Sequence, residues 1–247
     1  MSKKSPPKKK TKLLIGLLLF GLLAIASVTW WSLSLYDFQA EGISQKRQNV
    51  SIEIKQKLQN IASNTPGMTV YANTTLDQCA KGFSPGAFEP KNYRYTCYFS
   101  QTDYAGYKGS LSDLANSLHQ SLLQNGFVAS VYKDRYGLQY TNGLPATVEQ
   151  GTSSIEGSYR KFADSPDQTD IRLLNVFVII AAKESPSELW NYEENSTSRY
   201  IYRAETSIDK PAVVGAIQAQ NQYIIKISMD QTYFTQETLW RQLTGRL

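Results

Sequence analysis

The sequence predicts an α+β domain outside the membrane, carried by a single N-terminal transmembrane helix. Three observations carry that reading: a Lys-rich tail before a long uncharged run, one amphipathic helix with both ends marked, and a series of β-type segments around it. Their order implies a juxtamembrane helix, then a mostly antiparallel sheet with one packed helix and a short C-terminal helix.

Residues 1–12 form the tail, with Lys3, Lys4, Lys8, Lys9, Lys10 and Lys12. Residues 13–36 carry no charge. As a helix rising about 1.5 Å per residue they span roughly 36 Å, against a hydrocarbon core of about 30 Å. Trp30, Trp31 and Tyr36 close the outer end with amphipathic rings suited to the headgroup level. Beyond them Lys46 and Arg47 are the nearest cations, with Asp37 and Glu41 beside them. The positive-inside rule then puts the N-terminus in the cytoplasm and the body outside. Ala24-Ile25-Ala26 also matches a signal-peptidase cleavage pattern, the competing reading. Continuation of the apolar run through Val28, Leu33 and Leu35 favours an anchor. The lipid bilayer is thus the first expected partner.

Of the 26 Lys and Arg, six lie in the tail, leaving 20 against 21 Asp and Glu. A basic nucleic-acid-binding body is therefore excluded. One His and two Cys exclude a multi-ligand zinc site, and no cofactor is expected.

Residues 37–66 read as a juxtamembrane stalk helix centred on Glu41–Ser63, with Ile54, Leu58 and Ile61 on a thin apolar stripe. Thr65-Pro66-Gly67 ends it, and the extracytoplasmic domain occupies 67–247. Met68–Ala72 reads as a short strand, 73–92 as turn-rich, and Tyr93–Gln101 as a strand. The clearest helix follows. Ser110 is its N-cap with Asp113 three residues on, Leu111, Leu114, Leu118 and Leu122 form its stripe, and Gly126 stands at its C-terminal cap.

Phe127–Tyr132 and Tyr136–Tyr140 read as strands across a charged turn, and 141–170 as a long loop with a short edge strand at most. Ile171–Ala182 is apolar on both faces, as a central strand requires. Tyr200–Ile208 is a further strand. Ala212–Gln218 and Tyr223–Met229 read as a hairpin turning near Asn221, and Thr235 as the N-cap of a closing helix through Leu239, Trp240 and Leu243.

Cys79 and Cys97 are the only cysteines, and in a translocated domain they predict one disulfide, worth about 3 kcal/mol in the chain-entropy model. Tyr93, Tyr95, Tyr98, Tyr104 and Tyr107 cluster as a candidate interaction surface, with a half-buried sheet face as the plainer account.

Catalytic patterns fail on their chemistry. Gly82-Phe83-Ser84-Pro85-Gly86 matches a nucleophile elbow, but Pro85 has no N–H for the oxyanion hole. Ser130-Val131-Tyr132-Lys133 matches S-x-x-K within a β-type run, where that motif needs a helix start. Asp164, Asp167 and Asp170 lack the alternating ligands of a calcium loop. His119 reads as a surface residue of the capped helix.

Anchor, helix and disulfide-bearing sheet resemble type IV pilins and secretion-apparatus subunits in architecture alone. The pilin cleavage-and-Glu signature is missing, with Lys12-Leu13-Leu14 in its place. The function expected is a non-catalytic binding or assembly module outside the membrane, with a protein partner or self-association. The alternative is a cell-surface enzyme using paired carboxylates, for instance on glycans.

Overall fold

Cys79 and Cys97 face each other directly across two antiparallel strands, Cα atoms 4.0 Å apart, and form a disulfide. The strands are β1 (Met68–Lys81) and β2 (Tyr93–Tyr107), interior neighbours in an antiparallel seven-stranded sheet in an α+β fold. The computed structural model describes residues 19–28, 41–81, 93–133, 139–141, 143–148, 154–162, 173–190 and 200–237. The chain divides into two compact units, 1–45 and 46–247.

In the first unit, residues 19–28 are helical, with Leu19, Phe20, Leu22, Leu23, Ile25 and Val28 exposed. Among the described residues no helix is long and apolar enough to cross a membrane. The rest of the expected 13–36 span, the Lys tail, Trp30, Trp31 and Tyr36 lie outside them.

The first labelled helix, α1, runs Glu41–Ser63 as expected. Its stripe is wider than the sequence suggested: Val50, Ile54, Leu58 and Ile61 are all buried, and Ser121 donates to the Ile61 carbonyl at 3.1 Å. Residues 46–63 therefore pack as part of the domain rather than standing as a free stalk. Val50 supplies the fourth stripe position.

Both β1 and β2 run longer than their apolar alternation indicated. The turn-rich reading of 73–92 fails over 73–81, which continue β1, while 82–92 lie outside the described residues. Thr74, Asp77 and Gln78 look like loop residues, but pairing with β2 keeps all three extended, and Asp77 and Gln78 pair on the other flank as well. Helix α2 (Leu111–Gln124) forms as its caps require, Ser110 Oγ accepting from the Asp113 N–H and Gly126 sitting at φ +80°.

The small strands β3 (Val128–Ala129), β4 (Val131–Lys133) and β5 (Gln139–Thr141) follow, β4 and β5 forming a separate ladder. Within the expected 141–170 loop lie helix α3 (Leu144–Val148) and the nine-residue strand β6 (Ser154–Phe162). Ile155 and Tyr159 are buried anchors of β6, and Gly157 lets Leu144 approach so closely that an added Cβ would lie 2.8 Å from Leu144 Cγ. β7 (Leu173–Ala182) is central as expected, and a short 3-10 turn, Pro186–Trp190, follows it.

The remaining elements are β8 (Tyr200–Glu205), α4 (Lys210–Gln218) and β9 (Tyr223–Glu237). The expected strand Ala212–Gln218 is helix α4. Asp209 caps it by accepting from the Ala212 N–H, and Pro211 stands in its first turn, where its missing N–H costs nothing. The expected closing helix fails at its start, because Thr235 lies within β9 opposite Thr96; Leu239, Trp240 and Leu243 lie outside the described residues.

The sheet order is β3-β6-β7-β9-β2-β1-β8. One face carries Tyr159, Val176, Val178, Ile225, Ile227 and Ala105, and receives α1 and α2 through Arg47–Asp77 and His119–Tyr159. On the other face Tyr104, Ile179, Ala181 and Ile224 pack with Leu189 and with Val214 and Ile217 of α4. That second cluster covers only part of its face, and the uncovered part is polar.

A polar cleft beside helix α4

Alternation along the strands puts residues i and i+2 on one face. On β9 this presents Lys226, Ser228 and Asp230 on the side away from α1 and α2. Register carries the row across: Thr74 opposes Thr102, Thr102 opposes Ser228, and Ser228 opposes Phe177. The Thr102 and Ser228 hydroxyls are 2.9 Å apart and share a hydrogen bond. One step along, Leu76 opposes Ser100 and Ser100 opposes Asp230, whose carboxylate accepts from Asn175 Nδ2 at 3.0 Å.

Residues 206–208 and the start of α4 wall this floor, forming a cleft of about 440 Å³, within the usual 300–1,000 Å³ range for ligand sites. Its described lining is hydroxyl-rich (Thr74, Thr75, Ser100, Thr102, Thr206, Ser207, Ser228) and includes Gln78. Three cations, Arg203, Lys210 and Lys226, face one carboxylate, Glu205, and the apolar lining is Leu76, Tyr104 and Ile208. Lys226 is 9% exposed and donates to the Leu189 carbonyl at 3.0 Å. Arg203 Nη2 lies 2.8 Å from Glu205 Oε2. The edge is stitched by the Thr75 N–H donating to Thr206 Oγ1 at 2.7 Å.

Gln78 is the unusual member. The residue borders the cleft but is 1% exposed, and its buried Oε1 has no hydrogen-bond partner. An orphaned buried acceptor costs about 1–3 kcal/mol, and this one is shielded from the cleft as well as from solvent.

Two members of the expected tyrosine surface are not exposed. Tyr104 and Tyr107 are buried at 3% and 8% exposure; Tyr104 belongs to the α4 cluster, and Tyr107 packs over Gly67 and Gly109. Tyr98 is half-buried, and the backbones of Tyr93 and Tyr95 lie in β2 near the disulfide. Alternation along β2 puts Tyr104 and Tyr107 on opposite faces of the sheet.

His119 is not on the solvent side. Its Nδ1 lies 2.8 Å from Tyr159 Oη, which also accepts from the Leu144 N–H at 3.0 Å. Desolvation lowers the His119 pKa and pushes the Tyr159 phenol up to about 12. A protonated phenol that accepts from Leu144 can donate to Nδ1 of a neutral imidazole, an arrangement that makes His119 a structural latch for α3.

A second buried polar group sits under α1. Tyr233 donates to Asp77 Oδ1 at 2.8 Å, and Arg47 Nε lies 3.0 Å from Asp77 Oδ2. That last contact is an ion pair without hydrogen-bond alignment. Burial, with the Asp77 carboxylate beside it, holds the Tyr233 phenol protonated. Burial likewise raises the Asp103 carboxyl above its usual range, against the opposing hydrogen bond from Gln101 Nε2.

Of the rejected motifs, Ser130 is buried and accepts from the Ser158 hydroxyl at 3.2 Å. Residues 82–86 and Asp164, Asp167 and Asp170 lie outside the described residues. Among the described residues no cluster of three or more His, Cys, Asp or Glu could hold a metal. Sequence reasoning missed the cleft, though its signal is present: Lys226, Ser228 and Asp230 alternate with Ile225, Ile227 and Met229. No family model, no curated protein and no solved structure significantly matches the chain.

Proposed function

We propose that the chain is a single-pass membrane protein, N-terminus in the cytoplasm, whose extracytoplasmic domain is a non-catalytic binding module. The anchor rests on the uncharged 13–36 run and the six-Lys tail. The binding role rests on one observation: a hydroxyl-rich cleft of about 440 Å³ with Arg203, Lys210 and Lys226 in its lining. Hydroxyls and fixed cations suit recognition.

The carboxylate-enzyme alternative is disfavoured at this cleft. Hydrolysis of a glycosidic bond by that route needs two carboxyl groups facing each other across roughly 5–9.5 Å. Among the described lining residues Glu205 is the one carboxylate, and it is held against Arg203.

Photo-crosslinking in intact cells tests the binding role. A crosslinking side chain at Ser207, on the cleft rim, is compared with one at exposed Asn116 on α2. Specific capture from Ser207 is the expected result. Equal capture from both sites, or capture from Asn116 alone, overturns the cleft and points to a protein partner or self-association elsewhere. Protease treatment of right-side-out membrane vesicles tests the topology, which falls if the tail rather than the domain is cut.

A further inference from the structure

We propose that β8 pairs antiparallel with β8 of a second copy of this chain, about a two-fold axis at Ala204, joining two sheets into one. The contact needs no ligand in the cleft, so it goes beyond the binding-module reading.

Among the described residues the outer strands of the sheet are β3 and β8. β3 is two residues long and gives little to pair with. β8 is six residues long, and residues 203–207 are all exposed. Thr206 donates its N–H to the Thr75 carbonyl at 3.0 Å. Alternation therefore turns the backbone groups of Ala204 toward β1 and those of Arg203 and Glu205 toward the outer flank. An added antiparallel strand must set outward-turned residues against outward-turned residues.

Charge then selects the register. A two-fold centred on Arg203 sets guanidinium against guanidinium, and one centred on Glu205 sets carboxylate against carboxylate. Centred on Ala204, Arg203 opposes the partner's Glu205, and Glu205 opposes the partner's Arg203. Within each copy Arg203 Nη2 lies 2.8 Å from Glu205 Oε2, so the pairing merges two ion pairs into one network of alternating sign. Edge charges of a single sign would repel a second copy; these attract it. Two isolated strands are marginal, but each β8 is already seated on β1. The two-fold runs normal to the joined sheet, so both clefts open on the same face.

The test is mild oxidation of intact cells carrying the full-length Ala204→Cys chain, whose native cysteines are already joined. In the Ala204-centred register the two new thiols face each other with Cα atoms about 4.5 Å apart, within disulfide reach. A disulfide-linked dimer of the chain is the expected product. Arg203→Cys, set two residues off its counterpart, and Asn116→Cys, exposed on α2, should give little.

Charge reversal separates recognition from folding. On the Ala204→Cys background, Arg203→Glu alone or Glu205→Lys alone should each lower the dimer yield about tenfold. Co-expressing the two should restore it as a mixed dimer, because one copy then offers two carboxylates and the other two cations. A misfolded variant gains nothing from such a partner. Absence of an Ala204→Cys dimer, a stronger dimer from Arg203→Cys, charge reversal without effect, or failure of the mixed dimer each overturns the proposal. Linkage of Ala204→Cys to a different protein overturns it too and gives the edge to a foreign strand. Ser207 capture of anything but a second copy still reports the cleft, so the two readings fail separately.

Discussion

Arg47 of α1 reaches across to Asp77 of β1, Nε 3.0 Å from Oδ2, and this ion pair closes over a carboxylate that is 6% exposed. The other carboxylate oxygen accepts from Tyr233, whose hydroxyl is 3.6 Å from Cys79 Sγ. Residues 46–63 are thereby tied to the disulfide-bearing part of the sheet through two side chains.

The two ends of that ion pair should differ in cost. Arg47 is half-exposed, so Arg47→Ala lets water solvate one oxygen, and urea unfolding should show a loss of about 1 kcal/mol. Asp77→Ala strands the buried Tyr233 hydroxyl as well and should cost about 2–3 kcal/mol. Equal losses would mean that the guanidinium, rather than the carboxylate network, holds α1 in place.

The disulfide joins strands already paired along their length, so its removal should lower stability without unfolding the sheet. Cys79→Ala/Cys97→Ala should lose about 3 kcal/mol in urea unfolding. Native protein should resist thiol alkylation until reductant is added; labelling without it would place the cysteines in the reduced state.

His119 predicts an acid-sensitive fold. Its folded pKa lies below 6.5 because burial disfavours the charged ring. Above pH 6.5 it is neutral folded and unfolded. As pH falls below that value the unfolded chain takes the proton first, and stability declines until the lowered pKa is passed. Asp103 has the opposite sign: its pKa is raised above 3.8, so stability is gained as pH falls through the raised value. Tm measured from about pH 7.5 to 4 should fall first in wild type. The fall should flatten in His119→Gln, whose side-chain oxygen can still accept from Tyr159. Asp103→Asn should lose the late recovery. A wild-type Tm independent of pH between about 7 and 5 would overturn the latch.

Elements announced by paired local signals were legible in the sequence. α2 carries Ser110, Asp113 and Gly126, and β7 is apolar at every position but Asn175. Misreadings arose where tertiary pairing overrides local composition. β6 looks like loop because Ser154, Glu156, Gly157 and Ser158 are polar or small, yet β7 holds every one of them in register. α4 was obscured by Val213, Val214 and Ile217, which favour strands, although Asp209-Lys210-Pro211 writes a helix start. The cleft was invisible for a different reason. Its residues come from β1, β2, β8, β9 and the 206–210 segment, and only the strand order brings Gln78 and Lys226 to one face.

That strand order also makes Gly106 necessary. Gly106 lies in β2 opposite Ile224, beneath Asn221, and an added Cβ would fall 2.4 Å from Asn221 Cγ. Asn221 cannot simply swing away. Its Nδ2 donates to Tyr71 Oη at 2.8 Å and to the Ile217 carbonyl at 3.0 Å, and so ties the end of α4 to β1. Gly106→Ala must either break those bonds or shift the strand, at about 1–3 kcal/mol. Asn221→Ala alone should cost about 1–2 kcal/mol through the lost bonds. The double variant Gly106→Ala/Asn221→Ala should then be more stable than the sum of the single losses, because the second change removes the clash created by the first. Chemical denaturation of the four proteins measures that coupling. Strict additivity would show that Gly106 is required for the strand's own conformation rather than for the approach of Asn221.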